Sequence, residues 1–375
     1  MTLNTSTSHA SVNALPDPAP PGSPAVPPLG FRSRAPQAPC GPGGPDLIAP
    51  SPIPRRPNAS RAVAAALLLA LGATLAGCSI QKMATKSVAD SLTKGPDVFG
   101  TDNDPELVRD ALPFGLKTME SLLQSLPKHE GLLLTLCKGF TQYSYAFVQT
   151  EGDLIVNTDY ARATALHERA FLLYLRARDY GLRALALRHP GIADSLKLAP
   201  ARAAAKLDAR DLAPLYWCAA SWGSAISLGK DRPEMLADLP AIRELVNRGL
   251  ALDERYEGGA FHEAAIVLDA LPPAMGGSVE SARRHFQRAV EISGDRRPSP
   301  YVTLATSVSV MQQDRAEFRR LLNRALEFDP DKDPSLRLET IVLQRKAKSL
   351  LERESDFFID DTPAPDSTSS SQEKR

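Results

Sequence analysis

No stretch of this sequence alternates polar and apolar residues over a strand's length, which argues against a β-sheet protein. Aromatic residues are scarce, 6% of the chain with two tryptophans. Four cysteines in 375 residues are too few for a disulfide-stapled scaffold. Charge of either sign is not in excess, 44 basic against 44 acidic side chains, and a nucleic-acid binder would show a basic surplus. Catalytic and metal motifs are missing as well. There is no GxSxG, His262-Glu263 lacks a second histidine four residues on, and Met275-Gly276-Gly277 lacks the lysine of a phosphate loop. His129, His167, His189, His262 and His285 fall at no ligand spacing. A non-enzymatic protein without metal or cofactor is the expectation.

What is present divides the chain into unlike segments. Residues 1–57 hold 15 of the 32 prolines, show no apolar periodicity and cannot bury enough surface to fold. Arg55, Arg56 and Arg61 then precede an uncharged apolar run over 62–77, followed by Cys78. A basic region, a short apolar core and small residues at the end make a secretory signal, too short to span a bilayer comfortably. Leu75-Ala76-Gly77-Cys78 matches a bacterial lipobox, with the Cys78 thiol as the lipid attachment point. Ser79, where an aspartate would favour inner-membrane retention, points to an outer-membrane destination. The signal lies unusually far from Met1, so translation is expected to start internally, at a codon such as that of Leu47.

From Cys78 onward the chain has 39 basic and 42 acidic residues and is rich in helix formers, predicting an all-α body. The domain reading is a leader over 1–61, the signal core over 62–77, a lipidated polar linker over 78–104, a helical domain over 105–358 and a disordered tail over 359–375. Apolar spacing predicts helices at 105–126, 129–149, 158–189, 199–208, 211–229, 233–252, 258–271, 278–293, 299–312, 314–328 and 334–356. Asp104-Pro105-Glu106 supplies a cap, a first-turn proline and an acid at the positive end.

A phrase recurs in the second half. Asn247-Arg-Gly-Leu-Ala-Leu-Asp253, Gln287-Arg-Ala-Val-Glu-Ile-Ser293 and Asn323-Arg-Ala-Leu-Glu-Phe-Asp329 align without gaps, and Arg183-Ala-Leu-Ala-Leu187 is a fainter copy. The small residue after each arginine lets helices approach closely, and Pro330 stops the last copy. This resembles the second helix of a tetratricopeptide repeat, while a generic array of helical hairpins stays open as the alternative. Both give a TPR-like superhelical stack with a binding face.

A further resemblance rests on ordered phrases from about Asp104 to Glu354. They are His129-Glu-Gly-Leu-Leu-Leu-Thr-Leu136, Gln142-Tyr-Ser-Tyr-Ala-Phe-Val148, Glu168-Arg-Ala-Phe171, Leu175-Arg-Ala-Arg-Asp-Tyr-Gly181, Leu215-Tyr-Trp-Cys-Ala-Ala-Ser-Trp-Gly-Ser224, Pro272-Pro-Ala-Met-Gly-Gly-Ser278, Pro300-Tyr-Val-Thr-Leu-Ala305 and Gln313-Asp-Arg315. Together they are similar to the T-component lipoproteins associated with TRAP transporters. That resemblance implies a periplasmic lipoprotein of cryptic tetratricopeptide units, assembled as a homotrimer around a central pore. It further implies pairing with a P-type solute-binding protein and handling of a small hydrophobic or organic-acid ligand. A scaffold lipoprotein for outer-membrane or secretion machinery is the alternative function.

Candidate ligand or pore-lining residues follow from the aromatic and hydroxyl-rich stretches. Trp217, Ser221 and Ser224 fall at i, i+4 and i+7, so one helical face would carry an indole and two hydroxyls. Gln142, Tyr143 and Tyr145 raise the same expectation on the second helix, and Pro273 with Met275 lie in a Pro- and Gly-rich loop that would shape a cleft. For the tryptophans and tyrosines, simple core filling is the competing reading. For Pro272–Ser278 it is capping of the next helix by Ser278. Cys137 and Cys218 sit on apolar faces, as buried free thiols or as a disulfide.

Overall fold

A computed structural model describes residues 82–359. The leader, the signal core and its lipobox with Cys78, and the tail from residue 360 lie outside the described residues.

Among the described residues the fold is all-α, without a strand. Helix α1 covers residues 82–94, then α2 Pro105–Ser125, α3 Glu130–Tyr143, α4 Thr150–Ile155, α5 Tyr160–Ala186, α6 Ile192–Leu198, α7 Pro200–Ala204 and α8 Leu212–Leu228. After these come α9 Pro233–Leu236, α10 Leu239–Leu252, α11 Ala260–Asp269, α12 Val279–Ser293, α13 Ser299–Leu304, α14 Arg315–Leu326 and α15 Arg337–Glu352. The Asp104 carboxylate caps α2 by accepting from the Leu107 amide at 3.0 Å, as the Asp-Pro-Glu signature predicts.

The segment 78–104, expected to be a polar linker, contains α1. Its Ala89 is fully buried and Asp90 pairs with His129 at 3.3 Å, so one face of this polar helix is held by the body. The expected 233–252 helix is broken at Ala237–Asp238 into α9 and α10, and α6 was not expected at all. Its start is hidden in the sequence because His189-Pro190-Gly191 reads as a loop.

Two helices contain wide π-helical turns, Ser144–Gln149 joining α3 to α4 and Ala305–Ser309 extending α13. Local hydroxyls serve the carbonyls around them. Ser144 Oγ donates to the Phe140 carbonyl at 2.6 Å, Thr150 Oγ1 to that of Tyr145 at 2.8 Å and Thr306 Oγ1 to that of Val302 at 2.9 Å. Such turns occur as single insertions in α-helices, often at functional sites.

Close packing depends on small residues. A Cβ on Gly181 would sit 2.8 Å from the Cys218 Cβ and 3.0 Å from the Cys137 Sγ, so α5 and α8 can meet only because position 181 has none. Cys137 and Cys218 are free and fully buried, and burial pushes the Cys137 thiol up to about 12. The small residues of the repeated phrase, Gly249, Ala289 and Ala325, are likewise buried. The arginine before each, like Arg183 of the fainter copy, reaches back to an earlier connection. Arg183 donates to the Pro127 carbonyl, Arg248 to that of Leu207, Arg288 to the Glu254 carboxylate and Arg324 to Asp295.

The last helix returns to the first ones. The Leu338 amide donates to the Gly100 carbonyl at 3.1 Å, Arg345 pairs with Glu106 on α2, and Lys346 with Asp153 on α4 at 3.2 Å.

Candidate functional site

That return encloses a cavity of about 1440 Å³. Its walls are the π-turn after α3, helices α8, α10 and α11, the π-turn after α13, and α15. Exposed Val267, Met275 and Met311 lie at its rim, so it opens to solvent. The volume exceeds the few hundred to about 1,000 Å³ of most small-molecule sites. Most of the lining is apolar, with Ala220, Ile242, Val246, Ala264, Val302 and Val342 among the contributors.

Two polar clusters stand within this lining. In the first, Arg297 forms a bidentate pair with Glu339, Nη2 to Oε2 at 2.7 Å and Nε to Oε1 at 3.2 Å. Beside it, Glu263 accepts from Ser299 Oγ at 3.0 Å. Burial pushes the Glu263 carboxyl up to about 7, against the pull of Arg297. In the second, Lys346 lies against the Tyr145 ring, 4.8 Å from its centroid, and pairs with Asp153. Burial pulls the Lys346 amine down, but Tyr145 and Asp153 outweigh it and hold the ammonium charged.

Of the residues singled out in the sequence, Gln142, Tyr145, Trp217, Ser224 and Met275 line this cavity. Trp217 meets Tyr216 edge to face at 5.0 Å and has Lys138 Nζ 5.7 Å from its ring centre. Three residues lie elsewhere. Ser221 is fully buried and its hydroxyl donates to the Cys218 carbonyl at 3.0 Å, because the cavity-facing row of α8 runs through 217, 220, 224 and 227. Tyr143 is turned away into a separate polar cleft of about 640 Å³, where Arg169 stacks on its ring at 5.8 Å. Pro273 is exposed and outside the lining, whereas its neighbours Pro272 and Met275 are in it. Trp222 is core, fully buried, with its indole N–H donating to Asp238 at 3.1 Å.

The polar cluster of Glu263, Arg297, Ser299 and Glu339 was missed. Glu263 interrupts the apolar run Ala260-Phe-His-Glu-Ala-Ala-Ile-Val-Leu268, and a carboxylate inside such a run was the available signal.

Among the described residues no group of three or more His, Cys, Asp or Glu side chains could hold a metal ion. No described helix is long and apolar enough to cross a membrane. A helical-hairpin stack around a large, mostly apolar cavity defines an all-α, TPR-like protein.

Comparison narrows the class. The sequence matches the family described as TRAP transporter T-component over residues 101–358, and the chain belongs to that family. It is also 28% identical over 304 residues to an uncharacterised protein of Treponema pallidum (strain Nichols), a match covering 76% of this chain and 94% of that protein.

Proposed function

We propose that this chain is the T component of a TRAP-type transport system, lipid-anchored through Cys78 on the periplasmic side, at the outer membrane. In this role it binds the P-type solute-binding protein, assembles as a homotrimer with a central pore, and accommodates a small hydrophobic or organic-acid ligand. It performs no chemistry; differential contacts along the cavity suffice to accept and release a ligand. The observation that carries the reading is the cavity of about 1440 Å³, open at its rim, in a chain of this family. A scaffold lipoprotein needs only an outer groove for peptides and leaves that cavity without a use.

The test is direct binding of the purified protein to the P-type solute-binding protein of the same TRAP system, with oligomeric state read by light scattering. A trimer that captures that partner supports the proposal. A monomer with no affinity for it at tens of micromolar would sink it.

A further inference from the structure

The charged groups of the cavity wall are nearly all matched. Lys138 pairs with Asp97 at 3.2 Å, Arg296 with Asp333 at 3.2 Å, Arg297 with Glu339, and Lys346 with Asp153. Lys230 and Glu257 are exposed. Glu263 differs from all of these. It lies on α11 within the wall, its hydrogen-bond partner is the neutral Ser299 hydroxyl, and the nearest cation, Arg297, has its fork committed to Glu339.

The groups facing Glu263 come from every neighbouring element. Arg297 and Ser299 approach from the connection before α13 and its first turn, Glu339 from α15 and Tyr216 from α8. When Glu263 ionises, one cation stands against two carboxylates and the cluster is short of one positive charge. Next to it stands Tyr216, whose ring packs against Trp217, Tyr256 and Phe261, and beyond it the apolar walls of α10 and α13. Aromatic faces attract desolvated cations, and a carboxylate in an apolar cavity is satisfied best by a charged donor.

We propose that the cavity takes an amphiphile with an apolar body and a protonated amine head, the ammonium seated on the Glu263 carboxylate. This rests on the reading of the cavity as a ligand site, keeps the hydrophobic body of that ligand and replaces its organic-acid head by an ammonium. Because burial holds Glu263 partly protonated near neutral pH, seating an ammonium expels that proton. Affinity for the amine therefore rises with pH through 7.

The experiment compares octylamine, octanol and octanoate on the purified protein, by calorimetry and by fluorescence of cavity-wall Trp217. The expected result is octylamine binding at least about tenfold tighter than octanoate at pH 8, and about tenfold tighter at pH 8 than at pH 6. Octanol should show no such pH dependence. Glu263→Gln should reduce octylamine to the affinity of octanol and flatten its pH profile while octanol binding is kept, which shows that the variant is folded. Octanoate binding as tightly as octylamine, or an amine preference that survives Glu263→Gln, overturns the proposal and leaves the cavity as a ligand site. Failure of all three probes to bind removes the ligand-site reading itself.

Discussion

At the scale of single residues, two sites give the protein opposite responses to pH. Glu263 has its carboxyl raised from 4.5 to about 7 by burial, so the folded state holds a proton that the unfolded chain has released. Its ionisation costs nothing below pH 4.5; the penalty then grows as pH rises and is complete above about 7. A shift of this size corresponds to about 3 kcal/mol, discounted because the side chain is half-buried on the wall of an open cavity. Glu263→Gln should therefore raise the thermal midpoint at pH 8 and leave it nearly unchanged at pH 4.5, as measured by scanning calorimetry. The histidine pair works the other way. His262 Nδ1 and His285 Nδ1 lie 2.7 Å apart and share a hydrogen bond, between Glu254 on one side and Asp269 on the other. Burial lowers both imidazoles from 6.5, and His262 further lowers His285. Lowered bases stabilise the fold above the unfolded value, and that contribution is lost as pH falls below 6.5. His285→Gln should flatten the loss of stability between pH 6.5 and 5, read by denaturant titration at each pH. At this scale the sequence was half legible. Helical spacing put Trp217 and Ser224 on one face, but an i+4 step also admits Ser221, and only the packing of α8 on α5 shows that 221 points into the core.

At the scale of elements, the repeated phrase is what the fold depends on. Position 249 shows it most directly: a Cβ there would fall 2.1 Å from the Phe261 ring, so the glycine is the space that Phe261 fills. Gly249→Ala should cost about 1–3 kcal/mol through overpacking, despite its gain in helix propensity, and the urea midpoint reports it. The neighbouring copies carry alanine at this position, and both Ala289 and Ala325 are fully buried. The sequence showed the phrase, and with it helices α12 and α14 to within a few residues and the end of α10, but not the break that separates α10 from α9. It did not show what the arginines do, since their partners in earlier connections lie tens of residues away. The π-turns were equally hidden. Gln142–Val148 and Pro300–Ala305 read as unbroken helix, and an inserted residue leaves the apolar spacing almost intact.

At the scale of the whole molecule, hairpin repeats alone would make an open stack, and α15 closes it. Its Arg345 and Lys346 hold α2 and α4 across most of the chain, and Glu339, Val342 and Lys346 supply one cavity wall. A chain ending before Arg337 should keep most of its helical circular dichroism yet lose ligand-induced quenching of Trp217. It should also lose amide protection along the π-turn 144–149. Unchanged quenching would show that the wall from α15 is dispensable. Periodicity could not reveal this closure, because it reports which face of a helix is apolar and not which distant helix covers it.

The contact between Gly100 and Leu338 also fixes an order of events. Neighbouring hairpins meet after short loops close, whereas this joint must bring together residues more than 200 positions apart. A chain folding as it emerges amino-terminus first can form α2 through α14 before α15 exists. The cavity is then the last part of the molecule to come into being, and until it does, its apolar walls stand open to solvent.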